Sequence, residues 1–405
     1  MKFVLRFFLL SLVFFSCKTE DSNDLQLGVW RAELQLTPDE ALPFIFEVTS
    51  AQSLKIFNAE EVILVNDITY SNDTIVFKTP VFDGFVEAVI NKGSLKGNFI
   101  KEDLGRVVPF TAEFGNSKRF ASETNTTNQN VAGNWEVVFS PNIEAETYMA
   151  KGIFKQDGVN VTGTFRTTTG DYRYLEGLID GNTMRLSTFD GAHAFLFTAE
   201  INGDTMDGKF YSGSHWEEPF VAKRSESYEL PNANDLTFLK EGYETLEFKF
   251  PDADGNMVSL SDYRFKNKAV VVQVMGTWCP NCLDESKYYS EYYNTRSSKD
   301  VEFVALAFEY AKTKEKAFEN IKRLKDDIGI SYPILLAQYG TSDKDEAQER
   351  LPMLNHVLSY PTTIFIDKKG NVCKIHTGFN GPATGDKYTD FKTEFTSFVD
   401  ALVSN

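Results

Sequence analysis

Two cysteines separated by two residues, in Trp278-Cys279-Pro280-Asn281-Cys282, carry the most specific chemistry in this chain. A pair at that spacing can cycle between dithiol and disulfide, so thiol-disulfide exchange is the first expectation. The residues before it say how the pair is held. Ala269–Met275 (AVVVQVM) is too apolar and too β-branched for a surface strand and reads as a central strand buried on both faces. Gly276 and Thr277 break the run, and a helix is predicted to begin after Cys279, with Pro280 early in it, where a missing N–H costs nothing. Cys279 then lies at a helix N-terminus, where unpaired N–H groups and the positive end of the macrodipole favour thiolate over thiol. Cys282, one turn further in, is expected to be the less exposed partner: one thiol attacks and the other resolves. The same spacing is half of a zinc site. No second C-x-x-C and no His pair at ligand spacing among His193, His215, His356 and His376 completes one, so neither a metal nor a cofactor is expected.

The elements that must position this pair run from 243 to 405. Residues 248–260 (FKFPDADGNMVSL) read as two short strands around an Asp-Gly turn. The helix after Cys282 carries Tyr288, Tyr289, Tyr292 and Tyr293 along one stripe, better read as core packing than as a binding feature. A strand at Val301–Phe308 follows, then a helix with Phe318, Ile321, Leu324 and Ile328 on one face and a strand at 332–337. Ser359-Tyr360-Pro361-Thr362-Thr363 opens a further strand, Lys368-Lys369-Gly370-Asn371 turns it into a partner, and a helix through Phe391, Phe395, Phe398 and Leu402 closes the chain. Such alternation implies a central sheet with helices on both faces. The Gly/Pro-rich loop 377–385 reads as a turn, and Cys373 as a small buried hydrophobe.

Residues 25–225 have a different character. Runs such as 43–48 (PFIFEV) are punctuated by Asp83-Gly84, Asp157-Gly158, Asp180-Gly181, Asp190-Gly191 and Asn202-Gly203, all suited to tight hairpin turns, and almost nothing has a helical period. The region also repeats itself. Gly28-Val29-Trp30 corresponds to Gly133-Asn134-Trp135, 94–99 (SLKGNF) to 205–210 (TMDGKF), and Pro109-Phe110 to Pro219-Phe220. Between the copies, 116–130 (NSKRFASETNTTNQN) reads as a linker. The fold class expected is therefore multidomain: two antiparallel all-β units, small barrels or sandwiches at 25–115 and 131–225, a second linker at 226–242, and an α/β domain at 243–405. The aromatics of the β units read as core, and neither unit shows a catalytic constellation.

The net charge of −17 argues against nucleic acid, whose phosphates would be repelled. At the N-terminus, Lys2 and Arg6 precede a short apolar stretch at 7–15, ended by Ser16-Cys17. This is a signal peptide (1–16) rather than a membrane span, and it sends the protein to a compartment where disulfides persist. It resembles a bacterial lipoprotein signal, with Cys17 lipidated and 18–24 as a polar tether, although Phe14 and Phe15 depart from the usual lead-in; simple secretory cleavage is the alternative. A membrane is thus an expected partner.

With the Trp-Cys-Pro-X-Cys stretch after a buried strand, the strand-helix insertion and the Tyr-Pro-Thr-Thr element, 243–405 resembles the thioredoxin-like superfamily and, within it, the exported TlpA-like disulfide reductases. The resemblance implies a cis peptide before Pro361 against the dithiol, and substrate binding by Trp278, Pro361 and the Tyr360 backbone. It also matches Glu309 to a glutamate that helps deprotonate the second cysteine; an ordinary surface carboxylate beginning a helix is the alternative. Gln273 stands where cytoplasmic thioredoxins carry a buried aspartate, which favours Glu309 as base. The implied partners are a client protein with a disulfide or thiols and an upstream thiol electron donor. Three other readings remain: a thioredoxin-fold peroxidase, which lacks its P-x-x-x-T-x-x-C lead-in here; a copper-delivery protein, whose cysteines are usually three residues apart; and a partner-binding lipoprotein with a structural dithiol.

Overall fold

The computed structural model describes residues 25–124, 126–296 and 300–404. The expected signal peptide, Cys17 and the expected tether lie outside them.

The N-terminal half is antiparallel throughout. Nine strands from Gly28–Gln35 to Arg106–Phe114 form one barrel-like sheet, whose edges are Glu61–Val65 and Asp67–Ser71. Eight strands from Gly133–Phe139 to Trp216–Arg224 close into a barrel. In both, the first strand pairs with the second and with the last, so the sequence correspondences occupy equivalent places. Trp30 and Trp135 are buried, and each donates its indole N–H to the carbonyl four residues earlier, at 3.0 Å and 2.8 Å. The strands Ser94–Lys101 and Thr205–Ser212 both place a glycine against a neighbouring strand. A Cβ at Gly97 would lie 1.9 Å from the Glu87 carbonyl oxygen, and one at Gly208 2.5 Å from that of Thr198. Gly208→Val is therefore expected to destabilise the barrel by about 1–3 kcal/mol through overpacking, read as a lower denaturant midpoint.

Interior positions alternate along the strands and are filled by aromatics, as in the Phe139, Phe165, Phe197, Phe210 and Phe220 cluster. Gly158, Gly181 and Gly203 turn their hairpins with φ near +60°. Asp83-Gly84 does not make a tight turn. It lies in a longer connection between Lys78 and Phe85, and Asp83 instead accepts from Asn320 (3.0 Å) and Arg323 (2.9 Å) of the C-terminal domain.

The two β units are joined closely. Phe44 stacks on Phe189 with ring centroids 4.4 Å apart, and the Asn58 side chain exchanges two hydrogen bonds with the Phe189 backbone. The polar stretch between the units contributes too: Arg119 is buried between them, bonded to Pro43, Phe57, Glu176 and Ser187. The stretch reads as a linker because it is Ser/Thr/Asn-rich with almost no apolar content; its one buried arginine is held by partners from both units.

The C-terminal domain has a five-stranded sheet in the order Ile334–Gln338, Val301–Phe308, Ala269–Met275, Thr362–Ile366, Val372–Thr377. Ala269–Met275 is central and buried at every position, parallel to Val301–Phe308 and antiparallel to Thr362–Ile366. Four helices accompany it: α1 (Pro280–Thr295), α2 (Lys314–Ile328), α3 (Lys344–Arg350) and α4 (Asp386–Ser404). The tyrosine stripe of α1 is packing surface, with Tyr288, Tyr289 and Tyr292 all against Phe395 of α4. Cys373 corrects the sequence reading: it is exposed on the last strand, at a bulge where Phe365 pairs with Lys374 and Ile366 with Val372, so the extra residue turns outward although it shares its parity with the buried Ile375 and Thr377. No helix among the described residues is long and apolar enough to cross a membrane.

Candidate active site

The dithiol sits at the seam between the central strand and α1. Cys279 is the N-cap of α1 in extended backbone conformation, with Pro280 at the first helical position. Its sulfur accepts the Cys282 backbone N–H at 3.2 Å and approaches the Tyr360 carbonyl oxygen at 3.3 Å. Both cysteines are free thiols; Cys282 is wholly buried, whereas a sliver of Cys279 reaches the surface. Strand register explains why Tyr360 is there. Thr362 pairs with Val274 across the sheet, which carries the preceding Tyr360-Pro361 element to the end of the central strand, beside Thr277 to Cys279. The Tyr360-Pro361 peptide is cis.

Trp278 closes one flank. Its indole donates to the Phe308 carbonyl at 2.9 Å and meets the Tyr360 ring edge-on, with centroids 5.5 Å apart. Trp278, Cys279 and Tyr360 line a cavity of about 310 Å³. Pro361 is buried beneath them, and its carbonyl accepts the Gly378 N–H at 2.9 Å.

Two buried carboxyls flank the site. Glu309 follows the strand Val301–Phe308 and is not the surface group that one reading allowed: it is buried, accepting the Thr277 N–H (2.8 Å) and hydroxyl (2.6 Å). Burial pushes its carboxyl up to about 7, against the pull of those two bonds. Glu285, which sequence reasoning passed over, lies one turn beyond Cys282 on α1. It accepts from Gln273 (2.8 Å), Thr363 (3.0 Å) and Tyr289 (3.1 Å), and burial pushes it up to about 7 as well. The thiol of Cys282 is held well above its ordinary range, first by burial, then by the neighbouring Cys279, with the charge of Glu285 adding to it. Gln273 therefore does not leave the position without a carboxylate; it orients one supplied from α1. The available signal was Glu285 at the three-residue spacing that puts it on the Cys282 side of the helix.

The far wall of the cavity belongs to the second β unit, where no constellation was foreseen. Thr169, Gly170, Asp171 and Tyr172, in the loop after Asn160–Thr167, face the dithiol. Ser359 donates to the Thr169 carbonyl at 2.8 Å, Asn281 to that of Asp171 at 3.1 Å, and the Gly381 N–H to the Asp171 carboxylate at 2.6 Å. The loop 377–385 is thus more than a plain turn. Next to this wall the buried Arg173 ties all three units together, pairing with Glu61 of the first, Asp190 of the second and Asp284 of α1. Removing a guanidinium so enclosed strands buried carboxylates, so Arg173→Met is expected to cost about 3–5 kcal/mol in urea unfolding.

The geometry suits thiol-disulfide exchange: a thiol at a helix N-cap that reaches a lined cavity, a buried second thiol one turn away, and two carboxyls held near neutral pH. Residues 242–375 match the AhpC/TSA family. Across 144 residues the chain is 30% identical to the thiol-disulfide oxidoreductase ResA of Geobacillus thermodenitrificans, covering 36% of this chain and 73% of that one. It is also 30% identical over 140 residues to ResA of Bacillus subtilis, covering 35% and 69%. Among solved structures, a thiol-disulfide isomerase from Corynebacterium glutamicum aligns at 17% identity and a TM-score of 0.32, over 41% of this chain and 99% of that one. Through its thioredoxin-like domain, the chain belongs to the ResA family of thiol-disulfide oxidoreductases.

Proposed function

We propose that this protein reduces protein disulfides outside the cytoplasm, through the Cys279/Cys282 dithiol. The observation that carries this reading is the placement of Cys279 at the N-cap of α1, receiving the Cys282 N–H and lying against the Tyr360 carbonyl in a lined cavity.

The Cys279 thiolate attacks one sulfur of the client disulfide; that S–S bond breaks, and the departing client thiolate takes a proton from water. A mixed disulfide joins Cys279 to the client. Cys282 then gives its proton to Glu285, and the resulting thiolate attacks the Cys279 sulfur. The second client thiolate leaves and is protonated, with Glu285 as the proton source. The client gains two electrons and two protons, the enzyme is left with a Cys279–Cys282 disulfide, and an upstream dithiol donor must restore it. The sequence reading gave the base role to Glu309. The contacts support Glu285, whose charge reaches Cys282, while both oxygens of Glu309 hold Thr277 and so order the loop that presents Cys279. Trp278, Tyr360 and Pro361 frame the client segment, its backbone beside Tyr360.

The leader and Cys17 support an envelope location with a lipid anchor at Cys17, where a reductant of misformed disulfides has substrates. The test is insulin reduction driven by dithiothreitol. The full chain should accelerate it, and a chain that does not, with Cys279→Ser behaving alike, would end this reading.

A further inference from the structure

A second cavity, of about 280 Å³, opens beyond Trp278 where all three units meet. It shares His193, Phe195 and Trp278 with the dithiol cavity, so the two are neighbouring compartments of one cleft. Its charged lining is basic. Lys101 and Arg106 are paired across the hairpin that ends the penultimate strand of the first unit, and His215, which also lines the cavity, is brought down to about 4 by burial and the two cations and so stays neutral.

Lys101 is the unusual member. Its side chain is nine-tenths enclosed, and its ammonium donates to the Ala192 carbonyl at 2.9 Å. Among the described residues neither Lys101 nor Arg106 forms an ion pair with a carboxylate. The acidic group whose charge is felt most at Lys101 is Asp190, and Asp190 is already engaged by Arg173 and His193. A buried ammonium has three donors and is costly to leave without a counter-charge. Burial, added to by Arg106 and opposed by Asp190, brings it to about 8, so it is mostly charged at neutral pH. In a chain of net charge −17, two cations kept free of carboxylates beside the reactive cysteine are a place for an anion from outside.

We propose that this compartment is a specificity subsite, in which Lys101 and Arg106 take a carboxylate of the thiol- or disulfide-bearing substrate while its sulfur meets Cys279. The carboxylate belongs a few bonds from the sulfur, on the far side of Trp278. An acidic residue close to the reactive cysteine of an extended client segment supplies that chemistry, and so does a low-molecular-mass thiol with carboxylates of its own. The inference rests on the reductase reading for its chemistry and on the cleft for its selectivity.

The test uses the full chain and two substrate pairs: disulfide-linked peptides identical except for Glu or Gln two residues from the cysteine, and glutathione disulfide against its ethyl ester. The readout is the ratio of kcat/KM within each pair. Wild type should prefer the carboxylate by about tenfold, the size of one charge-assisted contact, and less at high salt. The ratio should fall to about one in Arg106→Gln and in Lys101→Gln/Arg106→Gln, and persist in the charge-retaining Arg106→Lys. Preference within the peptides alone assigns the carboxylate to a protein client, and within glutathione disulfide alone to a small thiol; either upholds the subsite. Equal rates within both pairs, or a preference unchanged in the variants, overturns it. Should no disulfide be reduced, the reductase reading fails separately, and fluorescence anisotropy of the Glu and Gln peptides with serine in place of cysteine still reads the preference.

Discussion

Cys279→Ser is expected to lower disulfide reduction by about a thousandfold or more, whereas Cys282→Ser should stop turnover while leaving the first attack intact. The asymmetry follows from position. Cys279 holds the N-cap with its sulfur at the cavity, and a serine hydroxyl there would still accept the Cys282 N–H, so α1 keeps its cap while losing its nucleophile. Cys282 is wholly enclosed and has no route to a client; its one accessible reaction is with the sulfur of Cys279. Without it the mixed disulfide cannot be resolved. Mass spectrometry of Cys282→Ser incubated with oxidised client should therefore find a stoichiometric adduct on Cys279, and the same treatment of Cys279→Ser should find none. An adduct on Cys282 in the latter would reverse the assignment.

These cysteines were legible because the features that mark them are local. A buried strand, a break, a proline at the first helical turn and the two thiols are contiguous, and the periods of strand and helix change across them. The strand Val301–Phe308 and the tyrosine stripe could be read for the same reason. What could not be read was the other half of the site. Asp171 and Arg173 lie more than one hundred residues before Cys279 in an ordinary polar turn, and their partners come from all three units: Glu61, Asp190 and Asp284 for Arg173, and Asn281 and Gly381 for Asp171. Cys373 failed differently. A cysteine in an apolar strand is more often inside, and alternation would set Cys373 with the buried Ile375 and Thr377, but the bulge between Val372 and Lys374 turns it out.

Glu285 is the buried carboxyl that the reading of the sequence passed over. Gln273 cannot be a base, and a carboxylate for the second thiol had to come from elsewhere; the sequence resemblance pointed along the neighbouring strand to Glu309, while the helix already carried one at the right spacing. The consequence can be measured. With Glu285 held near 7 by burial, it accepts a proton only once ionised, so resolution of the mixed disulfide should speed up as pH rises through about 7. Glu285→Gln keeps acceptors for Tyr289 and Thr363 and removes the titration. Resolution should slow by about a hundredfold at neutral pH, and the inflection near 7 should vanish, while the first attack by Cys279 is little changed. Glu309→Gln supplies the contrast: it should disturb the Thr277 loop and with it the first attack. Stability gives an independent sign. A carboxyl raised on folding stabilises most below its unfolded value near 4.5 and loses that contribution as pH climbs through about 7, because the ionised form is the one that burial disfavours. Glu285→Gln should thus gain in denaturant midpoint relative to wild type between about pH 5 and about pH 9. A resolution step whose pH profile is the same in both proteins would show that Cys282 loses its proton to another group.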